Sequence, residues 1–132
     1  MTLGINTTTR NNRLNQIKTA IDAGGAAGFL RVYDGTRPAT GGTATNLLAQ
    51  LTLSYPSAAS ASGGTLTFSA ITSATAGATG TATWGRLVDS TGAFVADCSV
   101  GTSAADYILN TTSITSGVQV SCSSAALTEG NP

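Results

Sequence analysis

The chain has 132 residues, enough for one domain with a buried core. More than half of it is Gly, Ala, Thr or Ser, charged residues make up only 9%, and there is no His. Six basic residues balance six acidic ones, which excludes a coiled coil, a charged tail and, with no basic patch to neutralise phosphates, a nucleic-acid binder.

Met1 to Arg10 carry neither a basic stretch nor an apolar one, so no secretory leader is expected. No apolar run approaches the ~20 residues of a membrane span. Synthesis in a cytoplasm without Sec export is the expectation. Residues 8–23 are the strongest helix candidate. Leu14, Ile17 and Ile21 recur at i, i+3 and i+7 as one apolar stripe. Thr7, Thr8 or Thr9 can supply the N-cap oxygen, and Gly24-Gly25 is a stop signal. The stripe is narrow, so the helix covers the edge or end of something else.

From Gly28 onward the hydrophobic period changes to two. Residues 29–33 read as a strand closed by Asp34-Gly35, and a polar loop runs over 36–46. Leu47, Ala49, Leu51 and Leu53 then alternate with Leu48, Gln50 and Thr52. Pro56 and the small residues of 57–64 interrupt this pattern. Leu66, Phe68 and Ala70 alternate with Thr65, Thr67 and Ser69, the mark of a half-buried strand. The stretch 72–83 is low in complexity, loop first and strand entry at its end. Residues 82–88 form the next strand, where Gly85 marks a bulge if Arg86 is to leave the Trp84 face. A hairpin turn at 89–92 leads into 94–100. Residues 107–109 and 118–122, with a tail to Leu127, complete seven or eight short strands. Their spacing of roughly 8–12 residues favours a sandwich or barrel. The expected architecture is a single domain, 1–132, mainly β. Residues 1–25 form an N-terminal arm and helix, and 28–128 a jelly-roll-like β-sandwich.

The low content of Leu, Ile, Val and Phe, 26 residues in all, raises the question of disorder. Disordered chains pair such compositions with high net charge, and this chain has none. Its large apolar residues also fall in phased clusters, so a folded chain is expected.

Cys98 shares a period-2 face with Phe94, Ala96 and Val100, and Cys122 one with Val118 and Val120. Both are expected as buried, reduced thiols behaving as small hydrophobes. Two Cys without His do not build a closed zinc site, and no cofactor is expected. The missing His also excludes Ser-His-Asp and Cys-His nucleophile pairs. Asp22, Asp34, Asp89, Asp106 and Glu129 read as turn, cap or surface residues, and Asp97 as a solvated mid-strand acid. Arg31-x-x-Asp34 and Arg86-x-x-Asp89 echo one another, which shared Asp turn chemistry explains. Trp84, the only Trp, reads first as a core filler and second as a sugar-stacking ring. The readings together point to a chain that is not an enzyme.

Several segments resemble a known group. These are Phe29-Leu30-Arg31-Val32-Tyr33-Asp34-Gly35-Thr36-Arg37-Pro38-Ala39, then Leu48-Ala49-Gln50-Leu51-Thr52-Leu53, then Gly80-Thr81-Ala82-Thr83-Trp84-Gly85-Arg86-Leu87-Val88-Asp89. Asp97-Cys98-Ser99-Val100-Gly101-Thr102 and Leu109-Asn110-Thr111-Thr112-Ser113-Ile114 complete the pattern. It resembles small structural proteins of tailed bacteriophages and prophages, over residues 8–123. The resemblance implies a virion component, best matched by a capsid decoration or cement protein that binds the outside of the head. Its implied partners are the phage major capsid protein and copies of itself. No nucleic acid, membrane or small-molecule substrate is implied. A tail, head–tail or fibre component and a host-surface carbohydrate-binding module remain alternatives. The candidate contact residues are Arg10, Arg13 and Arg37, suited to bidentate pairing with carboxylates, together with Tyr33 and Trp84. The candidate contact segments are 2–13, 36–46, 57–64 and 72–79, whose small side chains lose little rotamer freedom on docking.

Overall fold

Helix α1 (Thr7–Asp22) opens the computed structural model, which describes residues 4–128. Its N-cap is Asn6 rather than one of the threonines that follow. The Asn6 side-chain oxygen accepts from Thr9 N–H at 2.8 Å, and Asn is at least as good a cap as Thr. Leu14 and Ile21 are buried and Ile17 packs partly against the core, as the stripe predicts. The chain leaves the helix through Ala23, and Gly25, at φ 74°, bonds back to the Asp22 carbonyl.

Eleven strands follow among the described residues. They are β1 (Phe29–Tyr33), β2 (Leu47–Thr52), β3 (Thr65–Thr67), β4 (Ala74–Thr75), β5 (Gly80–Thr81), β6 (Trp84–Val88), β7 (Phe94–Gly101), β8 (Tyr107–Leu109), β9 (Ser113–Ile114), β10 (Gln119–Val120) and β11 (Cys122–Thr128). Seven of them build one curled mixed sheet in the order β2-β1-β6-β7-β8-β11-β3. The other four form the two-residue ribbons β4–β10 and β5–β9. The mainly β class with one N-terminal helix is as the sequence predicts.

The concave face holds the main core. Pairing of Leu30 with Leu51 and Leu87, and of Gly85 with Val32 and Cys98, puts these residues on one side. Leu14 and Ile21 of α1 join the same buried cluster. The opposite face carries Arg31, Tyr33, Trp84, Arg86 and Asp97. Gly85 sits in regular pairing rather than in a bulge. It is glycine because an added Cβ would lie 3.0 Å from Leu30 Cδ1 and 3.1 Å from Val100 Cγ1.

Two register shifts elsewhere overturn the simple alternation. One lies opposite Val32/Tyr33, so Leu48 is buried while Leu47 is exposed. The other lies between Leu87 and Val88, so Phe94 leaves the Cys98 face and stands exposed on the far side. In each case an extra residue inverts the side-chain direction beyond it.

β7 and β8 run parallel although only residues 102–106 connect them. Parallel neighbours normally need a much longer crossover. Here Ala104 turns the chain at φ 50°. Ser99 N–H bonds to the Asp106 carboxylate and Asp106 N–H to the Ser99 hydroxyl, closing the loop from both sides.

The segment 57–64 is not the free loop its composition suggests. Ser62 and Thr65 exchange two backbone bonds around Gly63 (φ 60°) and Gly64 (φ 78°). Positive φ at both central positions is the tight hairpin turn that suits twisted strands. The first arm of this hairpin runs alongside α1. Asn11, Asn15 and Asp22 share one side of the helix and accept from Gly64, Ala61 and Ser57 N–H at 2.8, 2.7 and 3.0 Å. The helix thus supplies the acceptors a neighbouring strand would otherwise provide. Replacing Asn15 with Ala leaves the Ala61 N–H unpaired in a half-buried place. A loss of about 1–3 kcal/mol is expected, read as a lower denaturation midpoint with an unchanged slope in urea.

Candidate functional site

The densest polar arrangement lies on the convex face, under the loop 36–46. Tyr33 and Trp84 stack with ring centroids 4.5 Å apart and planes 16° from parallel. The Arg86 guanidinium lies 5.2 Å from the Trp84 ring and 5.1 Å from the Phe94 ring. Arg86 Nε donates to Asp97 Oδ1 at 2.7 Å and Nη2 to Asp97 Oδ2 at 3.2 Å. The loop closes over this stack. Arg86 Nη2 donates to the Gly42 carbonyl and Gly41 N–H to Asp97. Trp84 Nε1 donates to the Asp34 carbonyl at 3.0 Å and to Thr45 Oγ1 at 3.1 Å, and Thr45 Oγ1 in turn donates to the Asp34 carbonyl.

This geometry reassigns several sequence-predicted residues. Tyr33 and Trp84 are 5% and 2% exposed. They therefore fill a secondary core and present no ring to a partner or a sugar. Trp84 follows the core reading. The Asp97 side chain is 4% exposed, not solvated, because cross-strand pairing sets it against Arg86. Arg37 is exposed on the loop. Arg13 is exposed on α1, while Arg10 is half-buried, with Nη2 donating to Thr7 Oγ1 at 3.1 Å. The structure brings none of these three arginines to the Tyr33–Trp84 stack. Arg86 and Phe94, absent from the candidate contact residues, belong to it. The signal for Arg86 was its shared face with Trp84. Phe94 carried no such signal, since only the register shift brings it there. Thr2 and Leu3 of segment 2–13 lie outside the described residues.

The five described carboxylates have one feature in common. Each accepts a backbone N–H: Asp22 from Ser57, Asp34 from Asn46, Asp89 from Thr91 and Ala93, Asp97 from Gly41, Asp106 from Ser99. Of the two acids of the internal echo only Asp89 caps its own turn, through Thr91 and Ala93 N–H, whereas Asp34 reaches across the loop 36–46 to Asn46, so shared turn chemistry does not explain the echo. The Thr91 hydroxyl and then the Ala93 N–H hold the Asp89 carboxyl below its ordinary value.

Cys98 and Cys122 are free thiols, and only Cys98 is fully buried. Cys122 is half-buried at the start of β11, opposite Leu109 and just before a register shift. Val118, expected on its buried face, is exposed. Cys122 is one of the residues lining a small open cleft of about 170 Å³ between residues 68–71 and 122–125. Burial pushes both thiols above their ordinary value, Cys98 the further, with Asp106 and Asp97 adding to the effect there. Tyr107 is buried against Phe68, and burial raises its phenol as well. Among the described residues no three of His, Cys, Asp and Glu stand close enough to hold a metal ion. No described helix is long and apolar enough to cross a membrane. Compared with known protein families, curated proteins and solved structures, the chain matches none.

Changing Asp97 to Ala strands the Arg86 guanidinium under the loop. A loss of about 3–5 kcal/mol is expected in chemical denaturation. Trp84 emission should also shift to the red as the loop lifts. Only the thiolate attacks a disulfide reagent, so a raised pKa means slow labelling near neutrality. Cys122 should react first, faster as the pH climbs beyond the usual thiol range, while Cys98 waits for unfolding. Equal native-state rates for the two would contradict their burial.

Proposed function

We propose that the chain is a non-catalytic structural component of a tailed-phage particle, a decoration protein on the exterior of the head. The observation that carries this reading is where the phage-like segments fall. Residues 29–39, the most specific segment, and 80–89 hold the neighbouring strands β1 and β6. They share the Tyr33–Trp84 stack and the Trp84–Asp34 bond. Their resemblance is thus one of architecture, which suits a protein whose role is to be a shaped, stable block. The carboxylates fit the same reading, since each described one is engaged with backbone N–H groups. Docking on a shell needs only modest affinity per copy, because neighbouring contacts act together.

Of the alternatives, a tail or head–tail component keeps the same architecture and differs in location. The carbohydrate-binding reading loses its main support, since Trp84 lies beneath the loop 36–46.

The test is incorporation into particles. A decoration protein should copurify with intact heads in numbers comparable to the major capsid subunit, and heads stripped of it should rupture at lower temperature. Recovery at only a few copies per particle, associated with tails, would favour the alternative. Arg37→Ala, on the exposed loop, should lower occupancy on the head without changing the melting temperature of the free protein.

A further inference from the structure

Charge is confined to part of this fold. No charged residue lies between Arg37 and Arg86, or between Asp106 and Glu129. The fold gathers much of these two stretches along one border of the molecule. Thr72 and Gly77 N–H bond to the Thr52 and Leu48 carbonyls, which stitches residues 72–77 onto the outer edge of β2. β4 pairs in turn with β10. Ala76 N–H bonds to the Val118 carbonyl, and Gly117 N–H to the Ala76 carbonyl. The result is a continuous strip, β2–β4–β10. Three of the four exposed large apolar residues among those described lie on it or at its end. Leu47 is 44%, Tyr55 54% and Val118 51% exposed. Thr72, Thr75, Gly77 and Gln119, also exposed, lie between and beside them. Among the described residues charges border it: Asp22 bonded to Ser57, Asp34 beside Gly80, and Arg31, which reaches from β1 onto the sheet side of β2 at Gln50.

We propose that this strip docks a second copy of the chain, face to face, as a two-fold dimer. An uncharged centre with a charged rim is the usual layout of a protein interface. Covering its β4–β10 side, away from the Arg31–Gln50 contact, desolvates no charge. A two-fold contact sets a surface against itself, so any charge near its axis meets its like. A charge-free strip escapes that repulsion, and a chain of zero net charge adds no long-range repulsion of its own. A partner recognised through charge would call for acids or bases on the strip, and it carries none. Leu47, Tyr55 and Val118 are the anchors. A dimer of this kind forms with or without a particle, so its test is separate from that of the virion reading.

The experiment is light scattering on the full chain over a concentration series, with far-UV circular dichroism on each variant. The mass of the unmodified protein should rise from 13.0 kDa to twice that value. Thr75→Lys and Val118→Lys should each return it to the single-chain mass with the spectrum unchanged. Gln16→Lys, on the exposed side of α1, should leave the dimer intact. Hydrogen exchange on the unmodified protein, dilute against concentrated, keeps the test independent of how the variants fold. Amides in 47–55, 72–79 and 115–119 should slow on concentration. A single-chain mass at every concentration, a dimer that survives both lysines, or an exchange pattern independent of concentration would each overturn the proposal.

Discussion

A carboxylate or side-chain amide accepting a backbone N–H is the contact on which this fold depends. The chain is too poor in large apolar side chains to bury its connections behind them. Its irregular segments still carry donors that must be paired. Asp and Asn meet that need with a short side chain and little rotamer entropy. Asp34 closes the loop 36–46 at Asn46, Asp89 holds its turn, Asp106 closes the β7–β8 loop, and Asn11, Asn15 and Asp22 hold the hairpin arm to α1. Asp97 does the most. It neutralises Arg86 and at the same time anchors Gly41, so one buried charge pair seats the whole loop 36–46.

That seating divides the interior in two. The concave face holds the aliphatic core, with Tyr107 against Phe68 at its largest. The convex face holds Trp84 between Tyr33 and Arg86, roofed by the loop. Both faces of the central strands are therefore covered, which is why β6 is buried at every position but Arg86. An antiparallel sheet usually leaves one face to water. Here a second, smaller core replaces that solvent, and its roof is made of polar residues rather than apolar ones.

The same division organises the proposed contacts. Charged side chains gather on α1, on the convex face and on the turns beside it. The β2–β4–β10 border stays free of them. In the proposed arrangement self-association uses the uncharged border, and Arg37 on the loop remains available to a different partner. The two kinds of contact then make no demand on the same surface.

Local signals in the sequence determined much of this structure. The α1 stripe, the Gly24-Gly25 stop, the period-2 run of β1 and the Asp89 turn each depend on residues close in the chain. Their physics is local: face periodicity, cap chemistry and positive φ. The mainly β class followed from them, while the core place of Trp84 followed from composition, as the one Trp of a chain poor in large side chains. Tertiary structure alone decided the rest. Register shifts at Leu48 and before Val88 inverted Leu47 and Phe94, because one extra residue in a strand reverses every side chain beyond it. Asp97 became buried because Arg86 faces it across a strand pair, and no local rule foretells which strands pair. Residues 57–64 became an ordered hairpin arm because the helix row that satisfies them comes from more than 30 residues earlier. The long uncharged stretches were plain in the sequence. Only the pairing of β2, β4 and β10 turned them into one surface, because a surface is made by the residues the fold brings side by side.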